Sequence, residues 1–306
     1  MLVTTKKLLA PARAKGYAIP AMNVNNLEAI KAIISAAEKM RSPVILQTSE
    51  GAIEYAGIEY LAAMIRVAAS GKIPVAMHLD HGKDIRYVKL AIAHGYTSVM
   101  FDGSAFPYAK NVALTKSVVK MAHAKEVSVE AEIGALAGIE DFVSVEEKDA
   151  HLTNPDEARK FVRDTKCDAL AIAIGTSHGA YKFTGKTHLD LDRLKHIAKL
   201  VRIPLVLHGA SGVREDLVKL AELHGAKLGE ARGVLDQDIT TAIKLGVAKI
   251  NIDTDLRIAF TAGIRESVDD LPKVIDPRKL LERSTLLMRE VAMRKMKLFG
   301  SAGRAR

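Results

Sequence analysis

Cysteine is almost absent from the sequence: Cys167 is the only one among 306 residues. An intramolecular disulfide therefore cannot form, and a metal cluster built on several cysteines is excluded. This composition favours a reducing compartment, and we expect a cytoplasmic protein. The N-terminal residues 1–7 lack the apolar core of a signal peptide, and no apolar run reaches the roughly 18 residues of a membrane-spanning helix.

Aromatic residues are also scarce, at 5% of the chain, and tryptophan is missing. Few side chains are therefore available to stack on nucleic-acid bases. The formal net charge of +9 is spread along the chain, with its densest run near the C-terminus. We expect no nucleic-acid partner and interpret the charge as attraction for an anionic substrate, with solubility as the simpler alternative.

What the sequence does contain is a regular alternation of short apolar segments and amphipathic segments, which are typical of strands and helices. Eight such pairs run from the strand Tyr17–Val24 to the strand Val247–Ile252 and its helix Leu256–Val268. Eight βα units predict a (β/α)₈ TIM barrel. The alternative is an open, doubly wound sheet, but polar residues end nearly every predicted strand and not only those at one crevice.

A further amphipathic segment, Lys279–Leu298, follows the eighth unit and predicts an additional C-terminal helix. We expect a single barrel domain over residues 1–306, with a helical extension from about 277 to 306. The segment Gly134–Val143 predicts a loop after the fifth strand.

Three of the predicted strands end in the same pair of residues: His81-Gly82, His178-Gly179 and His208-Gly209. A barrel brings its strand ends together, and three imidazoles with an open fourth position form a catalytic zinc site. A structural role is the simpler interpretation of any one histidine, but the recurrence favours a metal site. We expect His78, which precedes Asp80 on the same strand, to pack inside the barrel or support the site.

Carboxylates at the strand ends are candidates for proton transfer or for further metal contacts. Spacing alone does not decide whether each is a ligand, a base or an orienting group. Glu140 lies in the predicted glycine-flanked loop, which suits a mobile proton carrier, although a solvated loop residue is the simpler alternative. The candidates are Asp80, Asp102, Glu130, Glu132, Glu140 and Asp253.

Two other segments are candidate anion sites. Gly209–Arg214 follows the seventh strand, and Asn251–Thr254 ends the eighth. Backbone N–H groups and hydroxyls at helix N-termini bind phosphate, and barrels frequently use the loops after strands seven and eight for this. An ordinary loop is the alternative for a Gly/Ser turn taken alone.

The motifs together resemble the class II, metal-dependent fructose-bisphosphate aldolases over nearly the whole chain. The matching motifs are His78-Leu-Asp-His-Gly82, Val129-Glu-Ala-Glu-Ile-Gly134, Gly175-Thr-Ser-His-Gly179, Leu207-His-Gly-Ala-Ser-Gly212 and Asn251-Ile-Asp-Thr-Asp255. The resemblance implies reversible cleavage of fructose 1,6-bisphosphate to dihydroxyacetone phosphate and glyceraldehyde 3-phosphate, through a metal-stabilised enediolate. It also implies a cytoplasmic enzyme of glycolysis and gluconeogenesis that forms a homodimer or homotetramer.

The resemblance implies a role for each matching residue. His81, His178 and His208 match the ligands of a catalytic Zn²⁺, for which Co²⁺ is an alternative. Asp102 and Glu132 match carboxylates at a second cation position, which a divalent or monovalent ion fills in some members. Asp80 matches the carrier of the C4 hydroxyl proton, Glu140 the acid that moves the proton at the dihydroxyacetone phosphate carbon, and Asn251 a contact to the enediolate.

Substrate contacts are implied in the same way. The cradle for one phosphate comprises Gly179, Lys182, Gly209, Ser211, Asp253 and Thr254. Arg278 matches an arginine that reaches the other phosphate, in some members from a neighbouring subunit. Asn23, Gln47 and Ser49 match substrate contacts at the ends of the first two strands.

Some departures and alternatives remain open. Residues 103–107 fall in a variable region, which weakens the match of Asp102, and the role of 224–234 is not evident from the sequence. A tagatose-bisphosphate aldolase shares the same motifs and differs in the C4 epimer that it accepts. A non-catalytic sugar-phosphate-binding barrel and a metal-dependent hydrolase are the alternatives from other classes.

Overall fold

The fold is a closed barrel of eight parallel strands in the order β1-β11-β10-β8-β5-β4-β3-β2. The structure is a computed structural model that describes residues 1–134, 137–140, 143–145, 151–178, 189–228 and 233–305, with the backbone alone for 137–140, 143–145 and 177–178. β1 pairs with both β2 and β11, so the sheet has no free edge. The (β/α)₈ prediction is confirmed, and the open-sheet alternative is wrong.

The barrel strands are short and almost fully buried, because helices cover the outside and side chains fill the inside. They are β1 (Ile19–Asn23), β2 (Val44–Thr48), β3 (Val75–Gly82), β4 (Ser98–Phe101), β5 (Ser128–Ile133), β8 (Ala169–Ile172), β10 (Leu205–Leu207) and β11 (Val247–Ile252). A second, small sheet contains β6 (Ala137–Glu140), β7 (Val143–Val145) and β9 (Ser177–His178).

Helices connect the strands and form the outer layer. They are α1 (Thr5–Lys15), α2 (Leu27–Met40), α3 (Glu50–Ala56), α4 (Ile58–Ala68), α5 (Ile85–Ala93), α6 (Tyr108–His123), α7 (Pro155–Thr165), α8 (Leu191–Leu200), α9 (Glu215–Leu223), α10 (Asp236–Lys244), α11 (Thr254–Asp270), α12 (Pro277–Leu280) and α13 (Glu282–Leu298). In the described part of the chain, no helix combines the length and apolar character needed to cross a membrane.

Two apolar cores hold these layers together. The larger one lies between the sheet and the surrounding helices, and the smaller one fills the barrel interior with residues such as Ala21, Ile45 and Met100. Leu9 and Ala12 of α1 belong to the interior core, so this helix packs across one end of the barrel. Small interior residues leave room for polar side chains further along the strands, where the candidate site lies.

Sequence patterning misses several local features. The sequence pattern does not predict α1, because Pro11 falls inside it and a proline lowers the helical signal. The predicted loop Gly134–Val143 is wrong in part, since β6 and β7 form an antiparallel pair there. The expected C-terminal helix is present but is divided into α12 and α13 at Leu281.

The C-terminal helix α13 packs on α2 and α11. Gly263 of α11 makes the close approach to α13, since a Cβ at this position would lie 2.4 Å from the backbone nitrogen of Ser284. Lys295 of α13 is buried and lies 3.0 Å from the Asp255 carboxylate, at the start of α11. The additional helix thus reaches the same end of the barrel as the candidate anion turns.

Candidate active site

The end of β3 contains a local irregularity that brings two adjacent side chains into one cluster. Asp80 and His81 would face opposite sides of a regular strand. The pairing of β3 with β4 shifts register between Leu79 and Gly82, and His81 has a left-handed φ of 48°. This β-bulge turns the backbone, so that Asp80 and His81 both lie within one group of potential metal-binding atoms that includes His208.

Gly82 is required at the next position. A Cβ on this residue would lie 2.5 Å from the carbonyl oxygen of Met100 on the neighbouring strand. The glycine therefore permits close packing of β3 against β4 immediately after the bulge.

His81 and His208 form the centre of the cluster. Nε2 of His81 lies 2.7 Å from Nδ1 of His208, and both side chains are buried. The remaining ring nitrogens are occupied: Nδ1 of His81 lies 3.0 Å from Asp102, and Nε2 of His208 lies 2.8 Å from Glu130. The two carboxylates orient the rings so that Nε2 of His81 and Nδ1 of His208 face the same point.

Asp80 is fixed by three side-chain amides. Nδ2 of Asn251 donates to one carboxylate oxygen at 2.9 Å, and the amides of Asn23 and Gln47 each donate to the other at 3.0 Å. The three donors lie on three different strands: Asn251 on β11, Asn23 on β1 and Gln47 on β2. The carboxylate therefore has a defined orientation beside the two histidines, as a proton-transferring group requires.

A second group of acidic side chains lies on the other side of His81. Nδ1 of His81 is 3.0 Å from Asp102 and 4.0 Å from Glu132. Burial opposes the charged imidazole, but Asp80, Asp102 and Glu132 raise the pKa of His81 to about 10. Burial acts to raise the pKa of Asp102, but the hydrogen bond and the charge of His81 lower it by more. With the further hydrogen bonds from Ser104, they hold the pKa of Asp102 well below its usual range. Burial, reinforced by the charge of Asp102, raises the pKa of Glu132.

A buried charge network lies beneath the histidine pair. Lys249 is fully buried, and its Nζ lies 2.9 and 3.1 Å from the two oxygens of Glu130. His78 lies 3.4 Å from the same ammonium and 2.8 Å from the hydroxyl of Ser98. Burial and the charge of Lys249 lower the pKa of His78 well below its usual range. His78 therefore belongs to the support beneath the site, whereas Glu130 contacts His208 directly.

The donor set fits a divalent cation. Within the described residues, Oε2 of Glu132, Oδ1 of Asn251 and Oε1 of Gln47 are buried and have no hydrogen-bond partner. Buried acceptors without donors are costly unless a cation or a bound ligand satisfies them. Imidazole nitrogens together with carboxylate oxygens suit zinc and related metals.

Two further predicted site residues, Glu140 and His178, lie on the small sheet. β6 pairs in parallel with β9, with Gly138 opposite His178, and Glu140 ends β6 two residues later. The backbone segments that carry Glu140 and His178 are therefore neighbours. The side chains of both residues lie outside the described part of the structure, as do Gly179 and Lys182 in full.

The first candidate anion segment contacts the residue that directly follows the second. The backbone N–H of Gly212 donates to Asp255 at 3.0 Å, which links the turn after β10 to the first turn of α11. Ser211, Asp253 and Thr254 are all buried at this junction. A cation, Lys295, lies next to it.

A cavity of about 410 Å³ opens beside the cluster, and Asn23, Ser49 and Asp253 line it. Arg257 also lines this cavity and pairs with Asp253 at 2.8 Å. By contrast, Arg278 is exposed at the start of α12, where its guanidinium donates to the carboxylate of Asp276. The structure therefore brings Asn23, Ser49 and Asp253 to one cavity but does not bring Arg278 to it.

Sequence reasoning missed Arg257 and Lys249. Arg257 lies four residues after Asp253, one turn into the helix that follows β11. A side chain at this position can reach back to the residue at the end of the strand. Lys249 interrupts the apolar strand Val247–Ile252, and a lysine inside a buried strand indicates a buried partner.

Fold and site together define a (β/α)₈-barrel enzyme with a buried histidine and carboxylate centre suited to a divalent cation. Residues 3–304 match the family model of class-II fructose-bisphosphate aldolases. The fructose-bisphosphate aldolase of Thermus caldophilus is 53% identical over 305 residues and covers 100% of both chains. That of Giardia intestinalis is 45% identical and covers 99% of this chain and 94% of its own.

A solved structure agrees with this comparison. The YdjI aldolase of Escherichia coli K12 is 34% identical, with a TM-score of 0.81 over 100% of both chains. The chain therefore belongs to the class-II fructose-bisphosphate aldolase family and is a metal-dependent aldehyde-lyase.

Proposed function

We propose that this chain cleaves fructose 1,6-bisphosphate reversibly into dihydroxyacetone phosphate and glyceraldehyde 3-phosphate at the cluster around His81. The observation that carries the proposal is the Asp80 carboxylate, held by three amides beside the His81 and His208 pair. A fixed base next to a metal-compatible centre is what retro-aldol cleavage without a lysine Schiff base requires.

In this proposal, His81, His178 and His208 hold the catalytic cation, which is Zn²⁺ or, as an alternative, Co²⁺. When bound, the cation acts as a Lewis acid that stabilises the negative charge developing on the dihydroxyacetone phosphate half. Asp102 and Glu132 form a second cation position beside His81; their carboxylates lie 3.0 and 4.0 Å from Nδ1 of that histidine.

The chain's carboxylates move the protons. Asp80 takes the proton of the C4 hydroxyl, the C3–C4 bond breaks, and the aldehyde product forms at C4. The electron pair left at C3 is protonated by Glu140, which completes dihydroxyacetone phosphate. The amide nitrogen of Asn251 donates to Asp80 and lies 3.0 Å from Nδ1 of His208, so it faces the same centre, and we assign Asn251 the contact to the enediolate.

The two phosphates anchor the ends of the substrate and align the scissile bond. We assign one to the turns at Gly209, Ser211, Asp253 and Thr254, together with Gly179 and Lys182. The other lies towards the cavity beside Arg257, with contacts from Asn23, Gln47 and Ser49 and from Arg278 of a neighbouring subunit.

The broader setting follows from the same assignment. We infer one domain over residues 1–306, a homodimer or homotetramer, a cytoplasmic location and a place in glycolysis and gluconeogenesis. The positive charge of the chain, +9, suits a substrate with two phosphates.

The test is cleavage by a metal-free preparation before and after Zn²⁺ or Co²⁺ is added. We expect EDTA-treated protein to be inactive, added metal to restore cleavage, and Asp80→Asn to bind metal while kcat falls by about 10²–10⁴-fold. Faster turnover of tagatose 1,6-bisphosphate would reassign the substrate to the C4 epimer. Binding of the bisphosphate without EDTA-sensitive cleavage would make the chain a binding protein, and release of inorganic phosphate would indicate a hydrolase.

A further inference from the structure

The backbone that follows His81 is held by a carboxylate from the neighbouring βα connection. Oε1 of Glu50 accepts hydrogen bonds from the backbone N–H groups of Lys83 at 2.8 Å and Asp84 at 2.9 Å. Glu50 is the first residue of α3 and is half-buried, directly after Ser49 at the end of β2. One side chain thus connects the end of β2 to the turn that leaves β3.

That turn needs an external partner for two reasons. His81 occupies the left-handed region, with φ of 48°, which is unfavourable for a residue that has a Cβ and persists only when its surroundings enforce it. The N–H groups of Lys83 and Asp84 also precede α5, so no preceding turn of that helix can accept their hydrogen bonds. Glu50 satisfies both donors with one oxygen atom.

The position of this contact matters for the two histidines. Lys83 is two residues beyond His81, and the close packing of Gly82 on Met100 leaves little space for the backbone to adjust on the β4 side. If the turn relaxes from the left-handed conformation, the imidazole of His81 rotates away from His208, which now lies 2.7 Å from it.

We propose that Glu50 is a positioning residue for the metal centre, holding the left-handed turn at His81 so that Nε2 faces Nδ1 of His208. The inference rests on the proposed role of His81 as a metal ligand. Glu50 itself does not touch the substrate or the metal in this proposal and acts only through the backbone of Lys83 and Asp84.

The chain provides a matched control on the same helix. Glu54, one turn beyond Glu50, accepts a hydrogen bond from the hydroxyl of Tyr87 on α5 at 2.5 Å. This contact also joins α3 to α5 but does not touch the turn after His81. A general loosening of the two helices would therefore affect Glu54→Ala and Glu50→Ala alike, whereas loss of positioning would affect Glu50→Ala alone.

The experiment measures Zn²⁺ affinity of the full-length protein, stripped with EDTA and titrated in competition with a chromogenic chelator. We expect Glu50→Ala to weaken Zn²⁺ binding by about 10–100-fold, the range typical of groups that orient metal ligands. Glu50→Gln, whose amide oxygen still accepts from both N–H groups, should recover most of the affinity. Glu54→Ala should stay within about twofold of the wild type, as expected for a surface contact remote from the centre.

A spectroscopic readout separates positioning from stability. In Co²⁺-loaded protein, the visible absorption bands report the ligand geometry, so Glu50→Ala should shift them and Glu54→Ala should not. If Glu50→Ala does not fold, Glu50→Asp serves instead, because its shorter side chain retains the charge but withdraws from Lys83 and Asp84. It should then show the weakened binding.

Two outcomes overturn the inference, and they differ from failure of the proposed function. Wild-type Zn²⁺ affinity in folded Glu50→Ala or Glu50→Asp would remove Glu50 from this role, and so would equal weakening in Glu54→Ala. A wild-type protein that binds no Zn²⁺ would instead overturn the metal centre itself, and the inference with it.

Discussion

Replacing Lys249 with methionine tests the buried charge network beneath the histidine pair. Both Lys249 and Glu130 are buried in the barrel, and the ammonium lies 2.9 and 3.1 Å from the carboxylate oxygens. Methionine preserves most of the volume but leaves the carboxylate without its cation in a poorly hydrated interior. Breaking a buried pair in this way costs about 3–5 kcal/mol of unfolding free energy.

For a chain of this size, the change corresponds to a fall of roughly 5–15 °C in the thermal midpoint. The midpoint should be measured on EDTA-treated protein, so that loss of metal does not add to the effect. The double variant Lys249→Met/Glu130→Gln should recover at least about 1 kcal/mol, because the second change removes the unpaired charge while the new amide oxygen can still accept from His208.

Lys6 provides the matched control for burial. Its ammonium lies 3.0 Å from Asp168, a separation similar to that in the buried pair, but the lysine side chain is 68% exposed. Lys6→Met should therefore cost only about 0–1 kcal/mol. If Lys249→Met and Lys6→Met lower the midpoint equally, the reasoning from burial is wrong.

Three further predictions concern the same end of the barrel. Metal-free protein should lose stability as the pH rises from 6.5 to about 10. Folding raises the pKa of His81 from 6.5 to about 10, so within this interval the folded state holds a proton that the unfolded state has lost. Thermal denaturation in EDTA checks this, and a midpoint that rises with pH would contradict it. Gly82→Ala should weaken Zn²⁺ binding about 10-fold or more, since its Cβ would lie 2.5 Å from the Met100 oxygen; direct titration measures this, and unchanged affinity would disprove it. Lys295→Met should lower the thermal midpoint and raise KM for the bisphosphate, because it leaves Asp255 buried without its cation. Lys295→Arg should restore the midpoint and the KM. An unaltered KM in Lys295→Met would argue against a link between Lys295 and the anion turn.

Much of the site could be predicted because its residues occur at strand ends. The positions of Asp80, His81, His208 and Asn251 follow from the alternation of apolar and amphipathic segments, and the structure brings all four together. The prediction needed no knowledge of distances, since parallel strands in a barrel end on one face.

Other features depend on contacts between distant parts of the chain and left weak local signals. α1 contains a proline and belongs to the barrel only because its apolar side chains fill the interior core. Lys249 is a single polar residue in an apolar strand, and its partner Glu130 is 119 residues away. Arg257 reaches the cavity only because its helix begins at the end of β11.

The number of βα units and the kinds of side chain at each strand end follow from the sequence alone, because hydrophobic periodicity and residue chemistry are local properties. The way in which those side chains face one another depends on contacts between distant parts of the chain. The bulge in β3 and the left-handed turn at His81 bring Asp80 and His81 into one cluster, although they are neighbours on a strand. Asp102 contacts Nδ1 of His81, and Glu130 contacts Nε2 of His208. The other two ring nitrogens, Nε2 of His81 and Nδ1 of His208, therefore face each other.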